Sequence, residues 1–290
     1  MTLVAKQKAA GWLFLVPASA MIAIMSFFPM VKAFIISLQT GRGLNMHFAG
    51  FSNYVRMFQD KVFLRSVGNT FFYLIIQVPI MLVLAILLAQ LLNNRDLKLG
   101  GFFRTCVFLT CATSLVSYAL IFRFLLAQDG FINNALIGLG ILDTGYNFLG
   151  NAMSAKFVII IALVWRWTGY NMVFYLAGLQ NIEYSVYEAA KIDGANGWKT
   201  FWSITVPLLK PTIIMTFIMS INGTLQLFDE SVNLTNGGPA NATITMSHYI
   251  YNSCFVRSPN FGYASAMSFF VFILVAILAF INMKVGDTRD

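Results

Sequence analysis

Charged residues are scarce in this chain of 290 residues. Asp, Glu, Lys and Arg make up 10% of it, whereas an ordinary soluble domain carries roughly 25%. Hydrophobic residues make up 58%, and the mean hydropathy is +0.73. This composition excludes an ordinary soluble globular domain, and it predicts a chain whose surface faces mainly lipid or other helices.

Histidine and cysteine are almost absent as well. His47 and His248 are the two histidines, and Cys106, Cys111 and Cys254 lack the spacing of metal ligands. The chain contains neither a GxxxxGK[ST] phosphate loop nor an HExxH pair. We find no Ser/His/Asp set and no pair of carboxylates at a common membrane depth. We therefore predict a protein that is not an enzyme, has no cofactor or metal, and does not itself hydrolyse ATP.

The net charge of +8 does not indicate a nucleic-acid partner, because the basic residues form no run. A positive balance is usual in a bilayer protein with basic cytoplasmic ends. Basic residues are denser in the short inner loop when the N-terminus is cytoplasmic, and this favours an orientation with both termini inside.

Six apolar stretches reach the ~20 residues that a bilayer span requires. We predict an all-α polytopic membrane protein, with a single transmembrane domain over residues 1–290 and no soluble domain. The predicted spans are Trp12–Leu38, Val67–Leu92, Phe102–Leu126, Phe157–Leu179, Val206–Phe228 and Phe261–Met283.

The loop that follows the fourth span, residues 183–205, has its own pattern. Ser185 and Glu188 form a capping-box signature that predicts a helix start, and Gly194 is placed to end that helix. A second amphipathic helix follows, with an apolar side made of Trp198, Phe201 and Trp202. A helix-turn-helix between two spans is typical of a docking element for a soluble partner.

The same loop carries a spaced motif: Glu188-Ala189-Ala190, Gly194, Ile204 and Pro207. This spacing resembles the signature loop of permease subunits in binding-protein-dependent ABC importers, in their maltose-type carbohydrate branch. Val206 stands where the family usually has Leu. Further matches are Leu13-Phe14-Leu15-Val16-Pro17, Phe51-Ser52-Asn53-Tyr54, Asn69-Thr70, Leu176-Ala177-Gly178-Leu179-Gln180, and Gly237-Gly238-Pro239 with Thr243.

The resemblance implies a multi-pass subunit of the bacterial plasma membrane. It implies a second, homologous permease subunit in a heterodimer, and two ATPase subunits that bind ATP and Mg. An extracytoplasmic solute-binding protein would meet the loop at Gly237. The coupling helix would insert into the ATPase through Glu188, Ala189, Ala190, Asp193 and Gly194. Glu188 has an alternative role as the reciprocal partner of the Ser185 cap.

Arg166 is predicted to lie near the middle of the fourth span. An arginine at the bilayer centre costs about 2.5–3.5 kcal/mol, so it should face a bundle interior or a wet cavity. We expect no carboxylate at its depth, because Asp229 and Glu230 follow the outer end of span five. The predicted substrate pathway consists of Arg166, Tyr170, Asn171, Asn222 and Gln226. A structural arginine satisfied by the partner subunit is the alternative.

The function predicted from the sequence is the permease subunit of an ATP-driven sugar importer. Its cargo is an acidic, uronate-containing oligosaccharide if Arg166 binds a carboxylate, and a neutral oligosaccharide or polyol otherwise. A secondary transporter is the runner-up, and it would need intramembrane carboxylates or histidines. A membrane-embedded enzyme is a third alternative, which the missing catalytic groups disfavour.

Overall fold

The computed structural model describes residues 3–42, 45–94, 97–256 and 259–286. The chain forms two compact units. The first comprises Met1–Asp60 and Ile250–Ile273, and the second comprises Lys61–Tyr249 and Leu274–Asp290.

Nearly all of the regular structure is helical, as predicted. Short π-helical turns occupy Ala23–Phe27, Phe201–Thr205 and Asn252–Val256. The α-helices are α1 (Leu3–Ile22), α2 (Phe28–Ser37), α3 (Ser52–Gln59), α4 (Lys61–Leu92), α5 (Gly100–Ala112), α6 (Leu115–Leu125), α7 (Phe131–Gly138), α8 (Ala152–Gln180), α9 (Tyr184–Ile192), α10 (Gly197–Thr200), α11 (Val206–Leu208), α12 (Lys210–Leu225), α13 (Asp229–Thr235), α14 (Met246–Tyr251) and α15 (Phe261–Gly286).

A short antiparallel hairpin was not predicted. Strands β1 (Gln39–Arg42) and β2 (Asn45–Phe48) pair with Thr40 opposite His47. The hairpin lies in the loop after the first predicted span, where polar residues and Gly41 interrupt the helical pattern.

Asn53 ties this hairpin into the first unit. Its buried amide donates to the carbonyls of Ser37 and Gln39, each at 2.8 Å. In the same unit Tyr263 donates to Asp60 at 2.7 Å, and the Arg56 guanidinium lies 4.5 Å from the Tyr263 ring centroid. The Phe51–Tyr54 motif therefore contributes a buried amide that satisfies the carbonyls where α2 ends and β1 begins.

Four helical segments are long and apolar enough to cross a membrane: Gly11–Ser37, Lys61–Leu92, Ala152–Gln180 and Phe261–Ile281. Two further helix pairs are bent, by 98° between α5 and α6 and by 69° between Gly197–Leu208 and α12. By length and composition the described residues therefore hold four spans, or up to six if each bent pair is one span.

These bends are where the helices differ from the predicted spans three and five. The first falls at Thr113-Ser114, whose backbones are extended (ψ 146° and 137°). The second falls at Leu209, after Pro207 and just before Pro211. Apolar composition fixes the total length of such a stretch, but local polar residues and prolines decide where its helix breaks.

The core of the second unit forms where α4 packs against α8. One buried cluster joins Val78, Met81 and Ala85 of α4 to Met172 and Tyr175 of α8. Helix α5 also packs closely against α8 at Gly169, where an added Cβ would collide with the carbonyl of Val107. A side chain at residue 169 would therefore separate α5 from α8.

Candidate functional site

A cavity of about 470 Å³ lies within the second unit, in the size range of small-molecule sites. Helices α4, α6, α8, α12 and α13 and the turn between α12 and α13 build its wall. Its lining residues are Gln77, Met81, Leu115, Leu163, Arg166, Trp167, Tyr170, Asn171, Met219, Ser220, Gly223, Thr224, Gln226, Leu227, Phe228, Asp229 and Glu230.

The cavity gathers four of the five predicted pathway residues, namely Arg166, Tyr170, Asn171 and Gln226. Asn222 is half-buried and is not among the lining residues. Arg166 and Tyr170 share a face because they are four positions apart on the continuous helix α8, and Asn171 lies next to Tyr170.

Arg166 is buried, with 5% of its surface exposed. Its Nη1 donates to the Thr113 hydroxyl at 3.3 Å, and its Nη2 donates to the Cys111 carbonyl at 3.2 Å. The guanidinium also lies 4.8 Å from the ring centroid of Tyr118 and 5.5 Å from that of Trp167. The break after α5 frees the carbonyl that accepts from Arg166, so the bend helps to position the charge.

The expectation that no carboxylate accompanies Arg166 is wrong. Asp229 and Glu230 line the same cavity, and Glu230 is only 4% exposed. Helix α12 has 16 residues, a length of about 24 Å, which is shorter than the ~30 Å hydrocarbon core. The chain therefore turns back early, and α13 begins with both carboxylates beside α8.

Burial raises the pKa of the Glu230 carboxyl above its ordinary value, and Asp229 adds to this rise. The Tyr118 hydroxyl and the Arg166 charge act in the opposite direction. The Tyr118 hydroxyl thus lies close enough to the Glu230 carboxyl to stabilise its charged form.

Neutral polar groups line the rest of the cavity. Thr224 donates to Gln77 Oε1 at 3.0 Å, and Gln77 Nε2 donates to the Met81 sulfur at 3.1 Å. The amide of Asn171 donates to the Trp167 carbonyl at 3.0 Å. A polar wall mixed with Met, Leu and aromatic side chains is suited to a ligand that carries both hydroxyl groups and apolar faces.

Sequence reasoning missed Gln77, Trp167 and the two carboxylates as cavity residues. Gln77 left a signal, because it is an isolated amide in an apolar stretch of α4. The carboxylates left none, since their position depends on how early α12 ends.

Residues 183–205, the predicted coupling segment, contain helices α9 and α10 with a turn between them at Gly194. Gly194 has φ +75°, and the amide of Ala195 donates to the carbonyl of Ala190 at 2.9 Å, as in a Schellman cap. Asn196 Oδ1 accepts from the Lys199 amide at 2.8 Å and caps α10. Glu188, Ala189, Asp193 and Gly194 are exposed and Ala190 is buried.

The predicted capping box of Ser185 and Glu188 is wrong. Helix α9 begins at Tyr184, before Ser185, and Glu183 precedes it without a side-chain cap. The Ser185 hydroxyl donates instead to Glu183 Oε2 at 3.2 Å. Glu188 is therefore not held by a reciprocal cap at Ser185, and its exposed carboxylate is available to a partner.

The Gly237–Thr243 loop is anchored to α4. Arg65 Nη1 donates to the Ala240 carbonyl at 2.9 Å, and Asn69 Nδ2 donates to the Ile244 carbonyl at 2.9 Å. Below it, Ser231 Oγ donates to the Thr243 carbonyl at 3.0 Å and accepts from His248 Nδ1 at 2.8 Å. Burial lowers the pKa of His248. The motif Asn69-Thr70 thus acts by fixing a loop that is distant in sequence.

No group of three or more His, Cys, Asp or Glu side chains that could hold a metal ion occurs in the part of the chain that the structure describes.

Residues 49–287 match the family described as the inner membrane component of binding-protein-dependent transport systems. The chain belongs to this family. It is a multi-pass membrane protein, and the resemblance seen in its sequence is confirmed. Because the relatives are permease subunits, which are non-catalytic membrane components, the prediction that the chain is not an enzyme is confirmed too.

Two relatives illustrate the similarity. The chain is 48% identical to the lactose transport system permease protein LacF of Rhizobium radiobacter, over 96% of this chain and 94% of the relative. It is 32% identical to the arabinooligosaccharides transport system permease protein AraP of Bacillus subtilis, over 97% of this chain and 90% of the relative.

A solved structure shares the fold. A subunit of a bacterial ABC transporter involved in the import of the acidic polysaccharide alginate superposes with a TM-score of 0.86. The match covers 98% of this chain and 97% of the other, at 23% sequence identity.

Proposed function

We propose that the chain is the membrane permease subunit of an ATP-driven carbohydrate importer. The observation that carries this proposal is the cavity of about 470 Å³, where Arg166, Gln77 and Thr224 give a membrane-spanning bundle a polar interior. Relatives named for lactose and arabinooligosaccharide transport support carbohydrate as the class of cargo.

The whole chain acts as one permease domain that pairs with a second, homologous permease subunit. Two ATPase subunits dock on α9 and α10 and supply the bound ATP and Mg. The exposed apolar side chains of this segment support such docking, since Ile192 is 86% exposed and Trp198 is 70% exposed. Glu188, Ala189, Ala190, Asp193 and Gly194 contact the ATPase.

Both termini face the cytoplasm, as does the segment from 183 to 205. The loop around Gly237 faces the outside, where a solute-binding protein delivers the cargo. Its anchoring to α4 by Arg65 and Asn69 supports a stable docking surface. ATP-driven closure of the ATPases pulls the coupling helices together and opens the cavity outward.

Two cargo chemistries fit parts of the cavity. Arg166 supports a carboxylate-bearing oligosaccharide, because a guanidinium pairs with carboxylates. Asp229 and Glu230 support a neutral oligosaccharide or polyol, because they already supply negative charge beside Arg166. In either case Tyr170, Asn171 and Gln226 contact hydroxyl groups along the cavity, and Asn222 lies outside its lining.

A secondary transporter is the second candidate. One observation favours it, namely that Glu230 provides the buried carboxylate that an ion-coupled carrier requires. The membership of a binding-protein-dependent family weighs against it.

The test is a purified complex with its partner permease, ATPases and binding protein in lipid vesicles. ATP hydrolysis is measured with lactose, maltose, an arabinooligosaccharide and an alginate disaccharide. We expect at least one of these sugars to stimulate hydrolysis several-fold in the presence of the binding protein. No stimulation by any of them would contradict a carbohydrate cargo.

A further inference from the structure

The charged side chains that line the cavity differ in what they offer a ligand. Among the described residues these are Arg166, Asp229 and Glu230. Arg166 and Glu230 are almost completely covered, with 5% and 4% of their surfaces exposed. Asp229 is half-buried, so it is the charged group that a molecule in the cavity reaches most easily.

Protein groups already hold the charges of Arg166 and Glu230. The Arg166 guanidinium donates to the Thr113 hydroxyl and the Cys111 carbonyl, and its Nε is buried. The Tyr118 hydroxyl acts on the Glu230 carboxyl and favours its charged form. Both groups are therefore turned towards the wall and have little left to offer a ligand.

Asp229 is fixed in place but has unused acceptor sites. Its side chain makes no hydrogen bond or ion pair with any other residue that the structure describes. Its backbone is held because α13 begins at Asp229, and because the Thr245 hydroxyl donates to the Leu227 carbonyl in the preceding turn at 2.6 Å. A carboxylate on a fixed backbone is suited to accept hydrogen bonds from a ligand.

The sign of the accessible charge decides which cargo fits. The charge of Asp229 acts on the Glu230 carboxyl, so negative charge is concentrated at this end of the cavity. A carboxylate on the cargo would meet Asp229 as a like charge, and like charges at short range repel. A sugar hydroxyl would instead donate to Asp229, and a hydrogen bond to a charged acceptor is stronger than one between neutral groups.

We propose that Asp229 accepts a hydrogen bond from a hydroxyl group of a neutral sugar and excludes sugars that carry a carboxylate. The inference rests on the proposed function, because it assumes that a carbohydrate passes through this cavity. It narrows the cargo to the neutral class. It also makes Asp229, whose place in the cavity the sequence did not indicate, the residue that sets this specificity.

Asp229→Asn is the decisive variant, because it keeps the size of the side chain and removes its charge. No hydrogen bond within the described structure depends on that charge, and the melting temperature of the purified complex checks the fold. Asp143→Asn is the matched control, since it makes the same change at an exposed position in the loop between α7 and α8. Asp229→Glu keeps the charge and changes only its placement.

Binding is measured by equilibrium dialysis on the permease–ATPase complex in nanodiscs, where both membrane faces are accessible, without the binding protein. The probes are lactose and maltose, each compared with the derivative of equal size whose non-reducing sugar carries a carboxylate at C6.

The wild type, Asp143→Asn and Asp229→Glu should bind the better neutral sugar at least about tenfold more tightly than its acidic derivative. Asp229→Asn should lose about tenfold in affinity for the neutral sugar, the size expected for one hydrogen bond to a charged acceptor. Its preference over the acidic derivative should fall to about threefold or less, because the repelling charge is gone.

Several results would overturn this role of Asp229. Wild-type affinities in Asp229→Asn would remove Asp229 from the cargo site, and equal losses in Asp143→Asn would make the effect unspecific. A wild type that binds neutral and acidic sugars equally, or binds neither, would exclude charge selection in this cavity. These outcomes leave the proposed function intact, because ATP hydrolysis stimulated by sugar and binding protein tests it separately.

Discussion

At the scale of single residues, Arg166 and Gly194 decide how this permease is interpreted. Arg166 is held by the Thr113 hydroxyl and the Cys111 carbonyl within its own chain, so its burial does not require a partner subunit. Gly194 adopts φ +75°, and a Cβ built on it would meet nothing within 4 Å. Gly194 is thus constrained by its backbone conformation, and the space around it is open to a docking partner.

The residue-scale prediction concerns Gly194. Asp and Asn have the same size and tolerate a left-handed backbone similarly, so Gly194→Asp and Gly194→Asn differ mainly by a charge. We expect both variants to insert into the membrane. ATPase association should fall at least tenfold more in Gly194→Asp, because the proposed docking interface would bury the added charge. Co-purification of the ATPase measures this. Equal association of the two variants would refute charge burial at this point.

At the scale of elements, the loop around Gly237 is stabilised by its own set of buried hydrogen bonds. Ser231, Thr243 and His248 form a buried hydrogen-bond chain beneath it. The Ser231 hydroxyl donates to the Thr243 carbonyl, so it must accept from His248, and this fixes the proton of the neutral imidazole on Nδ1. A protonated imidazole could donate in the same way, so it is the burial of His248 that favours its neutral form.

The element-scale prediction follows from the lowered pKa of His248. Because the folded pKa lies below the unfolded value of ~6.5, the stability contributed by neutral His248 is present above that pH and is lost as the pH falls through the folded pKa. The melting temperature of the purified protein should therefore fall more between pH 7.5 and 5.5 in the wild type than in His248→Asn. His47→Asn, an exposed position, is the control. Parallel profiles of wild type and His248→Asn would contradict the prediction.

The sequence was sufficient to predict the mainly helical fold and the turn at Gly194, because apolar length and turn residues are local properties. It did not place the bends at Thr113 and Leu209, because the apolar length of each stretch outweighed the polar Thr113-Ser114 pair and the prolines on either side of Leu209 in the prediction. Asp229 and Glu230 were misplaced for the same reason. Their distance from Arg166 depends on the 16-residue length of α12, and hydropathy alone extended that span to Phe228.

At the scale of the whole molecule, the family assignment implies an inside and an outside surface. The proposed coupling segment and the proposed binding-protein surface must lie on opposite sides of the membrane. Asn196 and Asn236 are exposed on these two segments, and they allow the sidedness to be tested directly.

The prediction at this scale uses single cysteines. Cys106, Cys111 and Cys254 are free, so they are first replaced by serine. A cysteine at Asn236 or Asn241 should then react with a membrane-impermeant thiol reagent in intact cells or protoplasts. A cysteine at Asn196 should react only after the membrane is opened. The reverse pattern would invert the proposed topology.

The central claim is that this permease moves sugar with the energy of ATP hydrolysed by a partner. The most direct measurement is sugar uptake into vesicles that contain the complete complex, with ATP present or absent and with an imposed proton or sodium gradient. We predict uptake that needs ATP and the binding protein and is indifferent to either gradient. Gradient-driven uptake without ATP would contradict the claim and would assign the chain to the secondary transporters.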